Sequence, residues 1–154
     1  MKKIKIALVS IAAAIALLLT ACGESASSGS KYDFTMPDSP TEFVTTLVTD
    51  ENDESKQYAA VEFDGKIYVS YGTLTEDLDQ SEIGSRLGYL VQDGVKLEDI
   101  GLFPLTSDPD QNYILSMDKQ GIMQNKTFFR NSETKGKEIS TPSFIKSSGY
   151  DYWN

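Results

Sequence analysis

The feature that most constrains the fold is one dipeptide, Asp64-Gly65, between two runs rich in β-branched and aromatic residues. An Asp-Gly pair suits a type I′ turn, because both central residues of that turn take positive φ. In the second run, Ile67, Val69 and Tyr71 share one face, while Tyr68 and Ser70 share the other and are expected to point outward. The segment 58–72, YAAVEFDGKIYVSYG, is therefore predicted to be a β-hairpin with one face on a core.

Further short strands are expected along the rest of the chain. Runs with strand composition occupy residues 89–91, 100–105, 113–117 and 127–130. The first is predicted to end at Asp93-Gly94. The second carries Pro104, so any strand there is an edge or ends at that residue.

Two segments have sequence features of a helix. Residues 81–87 are predicted to form a short helix that holds Ile83 and Leu87 against the core, although Gly84 weakens it. Residues 41–49 have helical spacing after a capping-box sequence, but their Val and Thr content favours a strand, and both alternatives are open. The expected fold class is α+β, a small domain dominated by an antiparallel sheet with one or two short helices; an all-β domain is the alternative.

The N-terminal residues have the parts of a bacterial export signal. Three lysines precede an apolar run over residues 6–19, which has the length of a signal-peptide core and is short for a membrane span. The run ends in Leu19-Thr20-Ala21-Cys22, which resembles the lipobox of bacterial lipoproteins. The resemblance implies that a signal peptidase recognises Leu19, Thr20 and Ala21 and cleaves before Cys22, whose sulfur carries a diacylglyceryl group.

This resemblance divides the chain into three parts. Residues 1–21 are a signal peptide, residues 22–31 are the lipidated Cys and a flexible tether of small polar residues, and residues 32–154 are one globular domain. The implied location is the extracytoplasmic face of the cell membrane. The implied partner is the lipid bilayer, because a doubly acylated Cys22 gives stable attachment.

A second resemblance concerns the domain itself. It lies in the segments YAAVEFDGKIYVSYG, IGSRLGYLV, GLFPL through YILSM, and FFRN. These resemble a group of small, uncharacterised lipoproteins of Gram-positive bacteria. The motifs are structural, so the resemblance implies a domain of this kind and assigns no activity to any residue.

Composition excludes several kinds of chemistry. The chain has 14 Lys and Arg against 23 Asp and Glu, and loss of residues 1–21 would leave 11 against 23, which argues against nucleic acid as a partner. There is no His, and Cys22 is the single Cys. Histidine-dependent catalysis and the common zinc and copper ligands are thus excluded from the domain. No enzymatic activity, no cofactor and no metal site is expected.

The acidic residues raise two alternative sites, a calcium loop and the active site of a hydrolase. Residues 108–112, DPDQN, are spaced like the opening of a calcium loop, but Tyr113 and Lys119 stand where such a loop needs Gly and Glu. A turn between strands is favoured there. A carboxylate-dependent cell-surface hydrolase would draw on Asp77, Asp79, Glu82, Glu98 and Asp99. All of these acids fall in polar stretches beside turns.

The candidate ligand-binding residues are Tyr68, Arg130 and Trp153. Aromatic residues on a sheet can bind a peptide or a glycan, or can complete the core while the last aromatics fold back onto the sheet. Arg130 is expected to pair with an internal carboxylate or to meet an anionic ligand. The leading hypothesis is a membrane-anchored binding or interaction module, a sensor accessory or an immunity-type lipoprotein. A hydrolase and a transport-linked binding protein are the alternatives.

Overall fold

A computed structural model describes residues 31–120 and 126–154 of the chain. Its strands are β1 (Thr41–Thr49), β2 (Gln57–Phe63), β3 (Lys66–Leu74), β4 (Gly88–Gln92), β5 (Val95–Pro104), β6 (Tyr113–Asp118), β7 (Thr127–Asn131) and β8 (Ile145–Ser147). Helix among the described residues is limited to single 3₁₀ turns at Gln80–Glu82, Ser132–Thr134 and Asp151–Trp153. The predicted signal peptide, the lipobox with Cys22, and the tether up to residue 30 lie outside the described residues.

Seven of the strands form a closed ring. Its order is β1-β2-β3-β7-β6-β5-β4, and β4 then pairs with β1 to close it. The β1–β4 pairing is parallel, whereas the other pairings of the ring are antiparallel. The short strand β8 is added to the far end of β3. Because the ring is closed, each of its seven strands has a paired strand on both sides.

The predicted α+β class is therefore wrong, and the all-β alternative describes the domain. The helix expected over residues 81–87 does not form. Ile83 makes a β-bridge with Leu105, and the Gly84 amide donates to the Pro104 carbonyl at 2.9 Å. Because these backbone groups bond to the end of β5, they are not available for the i to i−4 bonds of a helix.

Residues 41–49, for which helix and strand were both open, form strand β1. Its first half pairs with β4 and its second half with β2. The closure between β1 and β4 requires a glycine at position 88. A Cβ on Gly88 would stand 1.9 Å from the carbonyl oxygen of Thr41, far inside van der Waals contact.

The predicted hairpin is confirmed. Asp64 and Gly65 have φ values of 51° and 71°, as a type I′ turn requires. Asp93 and Gly94, with φ values of 50° and 77°, form a second turn of this kind between β4 and β5. Strand β5 ends at Pro104, as the sequence predicts.

The barrel interior is filled by apolar side chains. Each strand of the ring contributes to one packed cluster, which contains Phe43, Val61, Tyr68, Leu90, Leu102, Ile114 and Phe129. The prediction that Tyr68 points outward is therefore wrong. The opposite face of β3, with Val69, is also buried, so alternation in the sequence could not distinguish the inner face from the outer one.

Three irregular segments cover the outside of the barrel. Tyr32, Phe34 and Leu78 join the cluster on the outer side of β5, β6 and β7. Residues 148–154, which we call the strap, lie across the outer side of β2 and β3, where Tyr152 packs with Ala60 and Val69. The expectation that the last aromatic residues fold back onto the sheet is thus confirmed.

Candidate functional site

The three candidate ligand-binding residues lie on two different surfaces. Tyr68 is in the barrel interior, with 1% of its surface exposed, and its hydroxyl donates to the Gln111 carbonyl at 2.9 Å. Burial, with a smaller contribution from the negative charge of Asp108, raises the pKa of Tyr68 to about 12. In this structure Tyr68 is a neutral core residue and is separated by the wall of the barrel from the other two.

The structure brings Arg130 and Trp153 together on the outer side of the barrel. The Arg130 guanidinium carbon lies 4.8 Å from the centre of the Trp153 ring and 5.2 Å from that of Tyr71. Such cation–π contacts are stronger when the charge is desolvated, and Arg130 is buried. Arg130, one of the candidate ligand-binding residues, is therefore packed against two aromatic rings.

Among the described residues, Arg130 bonds to hydroxyl and carbonyl oxygens and forms no ion pair with a carboxylate. Its Nε donates to the Thr134 hydroxyl at 2.8 Å, and its Nη2 donates to the carbonyls of Thr134 at 2.9 Å and Lys137 at 3.2 Å. These bonds fix the plane of the guanidinium against the two aromatic rings. The expected acidic partner is replaced by the turn that follows β7.

Around Arg130 and Trp153, aromatic rings form a continuous row. We call this row the aromatic strip; it consists of Tyr58, Tyr71, Tyr150, Tyr152 and Trp153. Neighbouring ring centres are 4.8 to 5.8 Å apart along it. Tyr150 is 39% exposed and Tyr58 and Trp153 are half-buried, so the strip presents aromatic surface to solvent.

Cations lie beside the strip. Lys135 Nζ is 4.5 Å from the centre of the Tyr152 ring, and Lys56 forms an ion pair with Asp151 of the strap. Burial raises the pKa of Tyr152, with the carboxylates of Glu51 and Asp50 as lesser causes. The strip is thus a neutral aromatic surface with lysines at its margin, which suits recognition of another molecule better than proton transfer.

Sequence reasoning identified Arg130 and Trp153 but did not place Tyr71 beside them or Lys135 beside Tyr152. The face shared by Ile67, Val69 and Tyr71 was a usable signal, since it separates Tyr71 from Tyr68. For Lys135 there was no signal, because its contact with Tyr152 depends on how the strap folds back.

The candidate carboxylates are placed apart from this surface. Asp77 pairs with Lys31 at 3.4 Å, and Asp79 accepts from the amide of Ser81 at 2.9 Å, which lowers the pKa of Asp79. Glu98 and Asp99 line a shallow open groove whose described walls come from strand β5 alone. These positions are those of surface acids.

The DPDQN segment is a turn between β5 and β6. One carboxylate oxygen of Asp108 accepts from the Tyr113 amide at 2.7 Å, and the other accepts from Asn112 Nδ2 at 3.2 Å. The carboxylate is thus used to close the turn. In the described part of the chain, no three Asp, Glu, His or Cys side chains are grouped so that they could hold a metal ion.

The fold and the aromatic strip define a small, closed, all-β domain with a partly exposed row of aromatic rings on its outer wall. Comparisons with known protein families, with curated proteins and with solved structures find no match to this chain. Across residues 31–120 and 126–154, no helix has the length and apolar character needed to cross a membrane.

Proposed function

We propose that this protein is a lipid-anchored, extracytoplasmic binding module held at the cell membrane through Cys22. One observation carries the proposal: Leu19-Thr20-Ala21-Cys22 directly follows a basic and then apolar segment with the proportions of a signal peptide. Two acyl chains on Cys22 would attach the protein stably, since each buried methylene contributes about 0.8 kcal/mol.

The start of the folded domain supports a short connection between anchor and barrel. The Tyr32 hydroxyl donates to the Leu78 carbonyl at 2.9 Å, and Arg86 Nη1 donates to the Phe34 carbonyl at 3.0 Å. The chain is therefore fixed to the barrel wall from Tyr32 onward. A fully extended chain from residue 22 to residue 31 spans at most ~35 Å, so the barrel would stay near the bilayer.

A binding role for the domain rests on the aromatic strip. Tyr and Trp bury large areas at modest cost in conformational entropy, and for this reason they dominate many recognition surfaces. A protein, peptide or glycan partner fits this chemistry, and nucleic acid does not fit the acidic balance of the chain. A sensor accessory or an immunity-type lipoprotein would use such a module.

Metabolic labelling tests the anchor. Cells expressing the wild-type chain are grown with a palmitate analogue, and the protein should carry the label and sediment with membranes. Cys22→Ser should abolish the label, whereas the tether variant Ser25→Ala should leave it unchanged. Label that persists on Cys22→Ser would overturn the proposal.

A further inference from the structure

The strap covers a place where two neighbouring strands separate. The β2–β3 ladder runs from the turn to the pair Ala60 and Val69 and ends there, although both strands continue. Past this point the Ser70 hydroxyl donates to the Ala59 carbonyl at 2.9 Å. We call this place the seam; it comprises residues 57–59 of β2 and 70–71 of β3.

The strap supplies hydrogen-bond donors to the seam. Trp153 Nε1 donates to the Ser70 carbonyl and the Ser148 amide donates to the Tyr71 carbonyl, both at 2.9 Å. The β2–β3 ladder does not reach either carbonyl. Because backbone carbonyls need donors when they are covered, a segment lying here must bring an N–H group to them.

Side chains of the strap fill a complementary surface. Tyr152 is 7% exposed and packs on Ala60 and Val69, and the Trp153 ring lies against the Arg130 guanidinium. Asp151 pairs with Lys56 on the barrel. The barrel thus contacts an acid, a tyrosine ring and an indole in consecutive positions.

The attachment of the strap is largely through side chains. Gly149, with φ of 69°, turns the chain into it, and the 3₁₀ turn Asp151–Trp153 has no side-chain cap at Tyr150. Ring contacts, one ion pair and the indole hydrogen bond hold the residues after Gly149. Segments with few backbone bonds to their surroundings open at a lower free energy than a closed barrel does.

We propose that the seam, together with the barrel side chains Tyr58, Tyr71, Arg130 and Lys56 beside it, forms a peptide-binding site, and that the strap occupies it as an internal ligand. The partner is a peptide segment with an acid followed by two aromatic residues, the second a tryptophan, in a single turn like that of Asp151–Trp153; it binds when the strap is displaced. A peptide is favoured over a glycan because the groups already bound at the seam are a backbone amide and an indole N–H. The inference deepens the proposed binding function and does not depend on Cys22.

The test uses the full chain, purified in detergent, and the synthetic peptide SGYDYWN, which matches residues 148–154. Trp153 is the single Trp, so a chain without residues 150–154 has no Trp and the peptide supplies the entire indole signal. That deletion variant should bind the peptide saturably, with a blue shift of the indole emission. A peptide with Ala in place of Trp, carrying an N-terminal fluorophore and measured by anisotropy, should bind about tenfold more weakly than the equally labelled original. The intact chain should bind neither.

Two outcomes would overturn the inference. One is a deletion variant that keeps its β-sheet circular dichroism spectrum and shows no peptide binding; the other is an intact chain that binds the peptide as well as the deletion variant does. If the deletion prevents folding, the full-length double variant Tyr152→Ala with Trp153→Ala replaces it, because it removes the ring contacts that hold the strap on the barrel. That variant also lacks indole, and an unshifted peptide spectrum in its presence would equally overturn the inference. Loss of the Cys22 label would contradict the anchor and leave this result unaffected.

Discussion

The Arg130 guanidinium lies over the indole ring of Trp153, with 4.8 Å between the guanidinium carbon and the ring centre. This contact joins strand β7 to the strap, and the bonds from Arg130 to Thr134 add the turn that follows β7. Tyr71 of β3 contacts both residues. One cation and the rings around it therefore join β3, β7 and the strap on this side of the barrel.

Replacing Trp153 with Ala should lower the free energy of unfolding by about 3 kcal/mol, through lost ring contacts and an unpaired Ser70 carbonyl. Urea unfolding followed by circular dichroism measures the change. Val44→Ala is the control, because Val44 is 53% exposed on β1, and its change should stay within about 0.5 kcal/mol. Equal stability of the two variants would contradict the packed role of the indole.

Arg130→Lys should destabilise the domain by about 2 kcal/mol, although charge is conserved. A lysine ammonium cannot lie flat between two rings while it bonds to the Thr134 hydroxyl and to two carbonyls. Lys137→Arg serves as the control, since that side chain is exposed. Equal stability of the two variants in thermal or urea unfolding would show that the planar guanidinium is dispensable.

The stability of the barrel should fall as the pH rises from 10 towards 12. The pKa of Tyr68 is about 12 in the folded chain against 10.0 for an ordinary tyrosine, so between these values the folded state retains a proton that the unfolded state has lost. The free energy of unfolding therefore decreases as the pH rises through this range. Burial also raises the pKa of Tyr113 and Tyr152, and these residues add to the trend.

The variant Tyr68→Phe isolates the contribution of Tyr68. At pH 7 it should be less stable by about 1 kcal/mol, because the hydrogen bond to Gln111 is lost. Its stability should then fall less steeply above pH 10, so that the two curves approach each other. Parallel curves in urea titrations across this range would contradict the buried position of the hydroxyl.

Gly88→Ala should prevent barrel closure. The new methyl group would meet the Thr41 carbonyl oxygen at 1.9 Å, and relief requires β1 and β4 to separate. We expect a loss of at least about 3 kcal/mol, the upper range for overpacking in a rigid site. Thr46→Ala, at an exposed position of β1, should leave the circular dichroism spectrum and the unfolding midpoint nearly unchanged; a Gly88→Ala variant with the same midpoint would contradict the parallel pairing.

Local chemistry made part of this fold predictable. The two turns require positive φ at both central residues, and the Asp-Gly dipeptide is one of the pairs that meet this requirement. The end of β5 at Pro104 follows equally from a missing amide hydrogen. These features depend on neighbours in the chain.

Features that depend on distant contacts could not be predicted in the same way. Strand β1 has helical spacing and strand composition at once, and its pairing with both β2 and β4 decides between them. Residues 81–87 lose their helix to hydrogen bonds with the end of β5. The Arg130–Trp153 contact spans 23 positions of the chain and needs the folded-back strap, so the sequence identified both residues without showing that they meet.

Mass spectrometry of the protein isolated from bacterial membranes tests the central claim most directly. Trypsin should release residues 22–31, CGESASSGSK, with a free or acylated amino group at Cys22 and a diacylglyceryl group on its sulfur. Detection of that lipidated peptide is the predicted result. An unmodified peptide that runs through Ala21 and Cys22 from residue 6 to residue 31 would show an uncleaved, unlipidated chain and would contradict the account.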